Sequence, residues 1–360
     1  MKGVRYLLIF AINPGSTSTK VALYSNDELI DKETIEHPRG EIEDFDNLND
    51  QLPYRLKSIN DFIKRLDIEE PIAAFVGRGG LLNPMPSGTY AVNSRMEEHL
   101  KIGVSGTHAS NLGGLLAKEL AKKHDSKAYV VDPVAVDEMD NVARISGIPH
   151  IERKSLAHTL NIKAISYRYA NENVRSLNEL RLVVAHLGGG ISIAPMKNGR
   201  IIDVNNANEM GPFSPERAGT VPSGALVKLC FSEKYNSAKE VKNLLNKKSG
   251  LISYLNTNDL RVVEKRIEDG DERAALIWEA MCYQIVKEIG AMATVLKGQV
   301  DAILLTGGLA YSKKLTTYMK DKLEFIAPIV IYAGEDELRA LAEGAYRVLI
   351  GRQKVKEYIY

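Results

Sequence analysis

Two stretches of the chain repeat one order of apolar and polar positions. The first begins at residue 9, where IFAI leads into small polar residues, then the apolar VALYS, an Asn-Asp pair and ELIDKETIEH. The second covers residues 181–206, where RLVVAHL leads into three glycines, ISIAPM, an Asn-Gly pair and RIIDV. Asn-Gly is a strong hairpin signal. Both stretches predict strand, small-residue loop, strand, tight turn and strand. We interpret them as an internal structural duplication, with two unrelated meanders as the alternative.

Apolar periodicity further along predicts the elements that complete each half. In the first half, strands are expected over 71–80 and 127–136 and a helix over 107–124. In the second half, a long helix over 271–296 precedes a segment at 300–312 that runs from a strand through a glycine turn into a helix. A last strand is expected over 328–332 and a closing helix over 336–349.

The first small-residue loop, NPGSTSTK, has the composition of an anion site but differs from a Walker A motif. That motif places Gly-Lys between a strand and a long helix. Here the residue directly before Lys20 is not a glycine, and a second strand is expected after it. The loop is therefore predicted to be a bend between antiparallel strands.

Composition narrows the class of protein. A length of 360 residues suits two domains, and a formal net charge of +1 argues against a sequence-independent nucleic-acid binder. No apolar run approaches a membrane helix in length. Cys230 and Cys282 lie in apolar, helix-like surroundings, which suits buried thiols in a reducing compartment. We expect a cytoplasmic protein without membrane or nucleic-acid partners.

Four motifs together resemble the acetate/butyrate kinase family over essentially the whole chain. They are NPGSTSTK from Asn13, HLGGG from His186, Thr306-Gly307-Gly308, and GEDELRALAEGA near the end. The resemblance implies an α/β fold of duplicated actin-like ATPase (ribonuclease H-like) domains with the active site in the cleft between them. It implies a first domain of residues 1–150 plus 337–360 and a second, carrying the adenosine site, of residues 151–336. It also implies a homodimer or higher homo-oligomer.

The resemblance further implies a reversible phosphoryl transfer. ATP, with ADP as its product and Mg²⁺ as cofactor, would phosphorylate butyrate or a branched short-chain acid directly to the acyl phosphate. Three alternatives stay open: an acetate or propionate kinase, a sugar or polyol kinase of the same superfamily, and a non-catalytic chaperone or filament protein.

Phosphate binding needs donors that approach closely, and glycine lets backbone N–H groups do so because it lacks a Cβ. Hydroxyl groups and a lysine could add to such a site. The predicted nucleotide-binding residues are Asn13, Gly15, Ser16, Ser18, Lys20, Gly188, Gly189, Gly190, Thr306, Gly307 and Gly308.

Two arginines and a histidine are candidates for catalysis. Arg78 ends an apolar strand, where its planar fork could hold a carboxylate or the migrating phosphoryl group. The resemblance implies a second active-site arginine at Arg217 and a transition-state role for His186. His158 could match another histidine of the family, and its role stays open.

Asp132 lies toward the C-terminal edge of an expected strand, where ligand sites commonly form in α/β folds. A sugar kinase would use such an aspartate as a base. A carboxylic acid, with a pKa of about 4–5, is already ionised near pH 7 and needs no base. We therefore predict that Asp132 helps to hold Mg²⁺, with Asn13 and Glu337. The neighbouring acids Glu335 and Asp336 leave the register of this last ligand open.

The residues after Arg78 bear on the choice of acid. Acetate kinases place two valines and a histidine between this arginine and a glycine pair, whereas Gly79-Gly80 follow Arg78 directly here. The loss of bulk predicts a roomier acyl pocket and a preference for longer or branched acids. The remaining histidines show no metal-ligand spacing and are expected at the surface or in loops: His37, His99, His108, His124 and His150.

Overall fold

The computed structural model describes residues 6–360. Its strands, in chain order, are β1 (Leu8–Pro14), β2 (Ser18–Ser25), β3 (Glu28–Glu36), β4 (Ile72–Arg78), β5 (Thr89–Ala91), β6 (Lys127–Val131), β7 (Arg181–Leu187), β8 (Ile191–Lys197), β9 (Arg200–Ile201), β10 (Ala302–Gly307), β11 (Ile329–Ala333) and β12 (Lys356–Glu357).

The α-helices are α1 (Arg39–Glu43), α2 (Gln51–Arg65), α3 (Ser94–Ile102), α4 (Asn111–Lys123), α5 (Asn141–Arg144), α6 (Thr159–Glu172), α7 (Ser223–Cys230), α8 (Ala238–Lys247), α9 (Leu251–Leu255), α10 (Leu260–Glu268), α11 (Glu272–Val295), α12 (Lys313–Leu323) and α13 (Glu337–Leu349). Short 3-10 turns lie at Leu48–Asp50, Leu177–Glu179 and Gly308–Tyr311.

The chain forms two compact units. The first contains the described part of residues 1–137 together with Thr159–Ala164 and Asp336–Tyr360, and the second contains Glu138–His158 and Ile165–Glu335. The predicted domain limits at residues 150 and 336 stay a prediction.

The two units are built on the same sheet plan. In the first, the strand order is β12-β5-β6-β4-β1-β2-β3, and in the second it is β11-β10-β7-β8-β9. In each, the first strand of the unit pairs antiparallel with the next strand along the chain and parallel with a later one. The order β6-β4-β1-β2-β3 in the first unit thus repeats as β11-β10-β7-β8-β9. This repetition of topology agrees with the duplication that the hydrophobic pattern predicted.

Helices pack on the sheet of each unit through apolar cores. In the first, α2 and α4 pack on one face of the sheet through residues such as Phe62 and Leu116, and α13 packs on the other through residues such as Leu341. In the second unit, the buried residues of α11, including Met281 and Ile285, share one apolar core with buried residues of the strands. Among residues 6–360, no helix has both the length and the hydrophobicity that crossing a membrane requires.

One predicted strand ends early, and the reason is local. The strand expected over 127–136 stops at Val131. Asp132 adopts a left-handed backbone conformation, with φ of 38°, and Pro133 follows it. A proline cannot donate to a strand ladder, and a positive φ breaks the extended backbone. The chain therefore turns away at the carboxyl end of β6.

Candidate active site

The loop between β1 and β2 is a tight hairpin. The ladder closes with Pro14 opposite Thr19, and the N–H of Gly15 donates to the carbonyl of Ser18 at 2.8 Å. The prediction of a bend between antiparallel strands is therefore confirmed. The Gly15 N–H belongs to the turn itself, so other groups of the loop must supply donors to a ligand.

This hairpin forms one wall of a pocket of about 300 Å³ in the first unit, which we call the hairpin pocket. It brings together side chains that are far apart in sequence, because β4 runs parallel beside β1 and delivers Arg78 at its end. The lining residues are Asn13, Pro14, Gly15, Ser16, Thr17, Ser18, Lys20, Arg78, His108, Ser110 and Glu337.

Glu337 is the carboxylate of the hairpin pocket and connects two of the predicted site residues. One of its oxygens accepts from the Arg78 guanidinium and the other from the side-chain amide of Asn13. Asp336 instead caps helix α13, since its side chain accepts from the Arg339 N–H at 3.1 Å. Of the acids that the sequence left open in the first unit, Glu337 is the one that reaches the pocket.

His108 and Ser110 line the pocket, and neither was predicted as a site residue; His108 was expected at the surface or in a loop. Nδ1 of His108 accepts from the Ser110 N–H at 3.2 Å. Burial, followed by the nearby charge of Arg78, lowers the pKa of His108 below its ordinary value. A neutral imidazole whose Nδ1 accepts carries its proton on Nε2 and can donate from there.

Asp132 lies elsewhere in the first unit and is only 3% exposed. Its Oδ1 accepts from the Ser87 hydroxyl at 2.6 Å and from the Gly88 N–H at 2.7 Å. Burial raises the pKa of its carboxyl group, and the charge of Lys163 opposes this rise. Asp132 is not among the described residues that line the hairpin pocket. The structure thus brings Asn13 and Glu337 together, without Asp132.

The second unit carries the matching hairpin between β7 and β8. The N–H of Gly188 donates to the carbonyl of Gly190 at 3.2 Å, within a loop one residue shorter than the first. Arg217 lies against this loop, because a Cβ added to Gly190 would be 2.4 Å from its Nη1. The Ser214 hydroxyl fixes the arrangement by donating to the Gly189 carbonyl at 2.5 Å. Burial lowers the pKa of Arg217, against the charge of Glu216.

Two imidazole rings stack at the base of the second hairpin. The rings of His158 and His186 have centroids 3.8 Å apart and an interplanar angle of 11°. His158 Nδ1 is 3.0 Å from the Ser192 hydroxyl, and His186 Nε2 is 3.6 Å from a carboxylate oxygen of Glu335. The structure thus places His158, whose role the sequence left open, directly against His186.

The glycine turn after β10 lies at the same sheet edge as the second hairpin. Thr306 pairs with His186 in the parallel ladder, and its hydroxyl donates to the Gly334 carbonyl at 2.9 Å. Gly307 has φ of 86°, and a Cβ there would be 2.4 Å from the Leu187 carbonyl oxygen. Only glycine fits this close approach. Gly308 then begins the 3-10 turn Gly308–Tyr311.

The two glycines after Arg78 serve close packing. A Cβ on Gly79 would be 2.3 Å from the Pro133 Cβ, and one on Gly80 would be 2.2 Å from Asn111 Oδ1. Neither glycine could therefore carry a side chain without displacing a neighbour. The roomier acyl pocket expected from the missing residues stays a prediction.

One other sequence expectation needs correction. Cys230 is exposed, because helix α7 buries none of its residues, whereas Cys282 is buried as expected. His37 was expected at the surface or in a loop; it lies in the loop after β3 and is only 2% exposed. Its Nε2 is 2.8 Å from the Thr19 hydroxyl, at the start of β2.

Comparisons with known proteins identify the class and then the family. A crystal structure of acetate kinase from Porphyromonas gingivalis shares the fold, with a TM-score of 0.77 and 20% identity over 95% of this chain and 100% of that one. The predicted fold, a duplicated actin-like ATPase, is thereby confirmed. The model of the acetokinase family matches residues 142–344.

Sequence relatives span nearly the full chain. Identity is 52% over 352 residues to butyrate kinase 1 of Clostridium acetobutylicum, covering 97% of this chain and 99% of the relative. It is 52% over 351 residues to probable butyrate kinase 2 of Caldanaerobacter subterraneus subsp. tengcongensis, covering 97% and 99%. This chain belongs to the acetokinase family, as the four motifs predicted.

Proposed function

We propose that this protein is a butyrate kinase, which transfers the γ-phosphoryl group of ATP to the carboxylate of butyrate or a branched short-chain acid. Membership of the acetokinase family and 52% identity to a butyrate kinase over nearly the whole chain support a phosphotransferase that acts on a carboxyl group. The product is the acyl phosphate, and the reaction is reversible.

The observation that carries the proposal is the pairing inside the hairpin pocket. Arg78 already binds a carboxylate there, that of Glu337, beside a hairpin of backbone amides and hydroxyls. A substrate carboxylate offers the same kind of acceptor oxygen to this guanidinium. Asp132, the base that a sugar kinase would need, is buried and accepts two hydrogen bonds, which does not favour that alternative.

Phosphoryl transfer between two anions is chiefly a matter of positioning and charge neutralisation. In the first unit, Arg78 would orient the acid, and Lys20 with the hairpin amides would bind phosphate oxygens. In the second unit, Arg217 and His186 would hold the transferring group. Thr306, Gly307 and Gly308 would contact the adenosine.

The family implies Mg²⁺, and the donors of the hairpin pocket fit it. Mg²⁺ is usually held by one or two carboxylates, waters and substrate phosphates. Glu337 and the side-chain oxygen of Asn13 are such donors, whereas residues 6–360 contain no group of three or more His, Cys, Asp or Glu that could hold a metal alone. When bound, Mg²⁺ would neutralise the phosphate charge.

A hydroxylamine trap tests the reaction itself. The full-length protein with butyrate, ATP and Mg²⁺ should give butyryl hydroxamate and an equal amount of ADP. ADP formation with sugars, and none with acids, would overturn the proposal in favour of a sugar kinase. No turnover of any acceptor would favour a non-catalytic member of the superfamily.

A cytoplasmic location and a homo-oligomeric state are further parts of the same proposal. Both cysteines are free thiols, which supports a reducing cytoplasmic location. The homo-oligomer rests on the family resemblance, and light scattering of the purified protein tests it: a mass of 39.8 kDa would mean a monomer and would contradict it.

A further inference from the structure

Arg55 is a fully buried arginine behind the first hairpin. It lies on the inner face of helix α2, in register with Gln51 and Ile59, and its exposed fraction is 0%. A buried guanidinium is costly unless hydrogen bonds satisfy its donors. Burial lowers the pKa of Arg55 to about 10, so it still carries a positive charge at neutral pH.

The hairpin supplies most of the partners of Arg55. Its Nη2 donates to the Ser16 carbonyl at 3.2 Å, and its Nη1 donates to the Ser18 carbonyl at 3.0 Å. The Thr19 hydroxyl accepts from Nη1 at 2.9 Å, and the Gln51 side chain accepts from Nε and Nη2. Among the described residues, no carboxylate forms an ion pair with Arg55, so its charge adds to the positive potential behind the loop.

The Thr17 carbonyl, which lies between those of Ser16 and Ser18, also accepts a hydrogen bond. The Thr17 carbonyl accepts from the backbone N–H of His37 at 2.8 Å. Consecutive carbonyls of the hairpin, those of Ser16, Thr17 and Ser18, thus all accept hydrogen bonds from inside the protein.

The hydrogen bonds to these carbonyls also determine where the neighbouring N–H groups point. In a planar trans peptide, the C=O of one residue and the N–H of the next point in opposite directions. When the carbonyls of Ser16 and Thr17 are held inward, the N–H groups of Thr17 and Ser18 are directed outward. Both residues line the hairpin pocket. Successive outward amides form the kind of concavity that binds anions.

We propose that Arg55 is a positioning residue for nucleotide binding: it holds the hairpin carbonyls so that the amides of Thr17 and Ser18 face a phosphate group of ATP. Arg55 itself does not touch the nucleotide. The inference rests on the proposed ATP site and adds to it a residue on a helix distant in sequence from every motif of the family.

The test compares Arg55→Met and Arg55→Lys with Ile59→Ala. Ile59 is a suitable control because it is fully buried one turn further along the same helix and belongs to the apolar core. Direct titration calorimetry with ATP measures the nucleotide affinity without turnover. Thermal unfolding measures stability, and hydrogen exchange of a peptide covering residues 13–20 reports on the hairpin.

We expect Arg55→Met to weaken ATP binding by roughly tenfold or more, since bonds from a charged donor are among the stronger ones. The KM for the acid should change by less than about threefold, because Arg78 is untouched. Arg55→Lys, which keeps the charge but not the fork, should be intermediate. Both should accelerate exchange in residues 13–20. Ile59→Ala should lower the melting temperature while keeping ATP affinity within about twofold.

Wild-type ATP affinity in Arg55→Met would overturn the inference, and so would equal weakening in Ile59→Ala, which would mean that stability alone matters. If Arg55→Met does not fold, Arg55→Lys decides through ATP affinity and exchange in the hairpin. The hydroxamate assay on the unmodified protein tests the proposed function separately, so the two can fail independently.

Discussion

The guanidinium of Arg78 donates to one carboxylate oxygen of Glu337, and the other oxygen of Glu337 accepts from Asn13. All three residues line one pocket. A residue predicted to bind the acid is thus paired with a residue predicted to serve the metal. Glu337 thus pairs with the guanidinium to which we assign the substrate carboxylate in the proposed function.

This pairing predicts that Glu337 competes with the acid. Glu337→Gln removes the negative charge and weakens the bond to Arg78, so butyrate should bind the nucleotide-free protein about three- to tenfold more tightly. Titration calorimetry with butyrate alone measures this. Arg78→Ala is the control and should weaken butyrate binding with either residue at 337. Butyrate affinity in Glu337→Gln that equals or falls below that of the wild type would show that the pair does not mask the acid site.

The contact between Gly190 and Arg217 predicts a sharp effect of one methyl group. Gly190→Ala would place a Cβ 2.4 Å from Nη1 of Arg217, so the guanidinium has to move. We expect kcat to fall by roughly tenfold or more with little change in melting temperature. The matched control is Gly224→Ala, where nothing lies within 4 Å of the added Cβ. A Gly190→Ala variant as active as Gly224→Ala would remove Arg217 from the reaction.

Burial of His37 predicts a dependence of stability on pH. Burial, aided by the charge of Arg55, lowers the pKa of His37 from 6.5 to about 4. Between these two values the unfolded chain binds a proton that the folded protein does not, so the free energy of unfolding falls as pH falls. From pH 7 to pH 5 this loss should be about 2 kcal/mol.

Urea unfolding of the wild type and of His37→Gln, at pH 7 and pH 5, isolates this contribution. The difference in unfolding free energy between the two proteins should shift by about 2 kcal/mol in favour of the variant at pH 5. If the unfolding free energies of the two proteins changed equally between pH 7 and pH 5, His37 would have the same pKa in the folded and unfolded states.

The first-unit hairpin, the glycine loops and the duplicated topology were predictable because they depend on local patterns. Alternating apolar runs and an Asn-Gly turn specify a ribbon whatever surrounds it. The position of Arg78 was predictable for a similar reason, since a polar residue that ends a buried parallel strand lies at the edge of the sheet, where ligand sites commonly form. Its role in binding the acid stays a prediction.

The rest of the site depends on contacts that no local pattern encodes. His108 and Ser110 reach the pocket from the segment between α3 and α4. Arg55 reads as one polar residue on an amphipathic helix, although its periodicity with Ile59 and Phe62 marks a buried face. The signal that could have found it was an arginine at a core-facing position of the amphipathic periodicity in this segment.

The two cysteines offer a simple check of the second unit. Cys230 is exposed and Cys282 is buried, and burial raises the pKa of the Cys282 thiol. A thiol reagent should therefore modify Cys230 rapidly in the native protein and reach Cys282 only after denaturation. Cys230→Ser should abolish the rapid reaction. Rapid modification of the Cys230→Ser protein would contradict the packing of α11.

The enzyme's preference among short-chain acids is the most direct test of the proposed function. Each buried CH2 contributes about 0.8 kcal/mol, so the roomier acyl pocket that the sequence predicts should favour each added methylene by roughly fourfold. The measurement is kcat/KM for acetate, propionate, butyrate and isobutyrate under one set of conditions with saturating ATP and Mg²⁺. We predict the highest value for butyrate or isobutyrate. A highest value for acetate would contradict the proposed function.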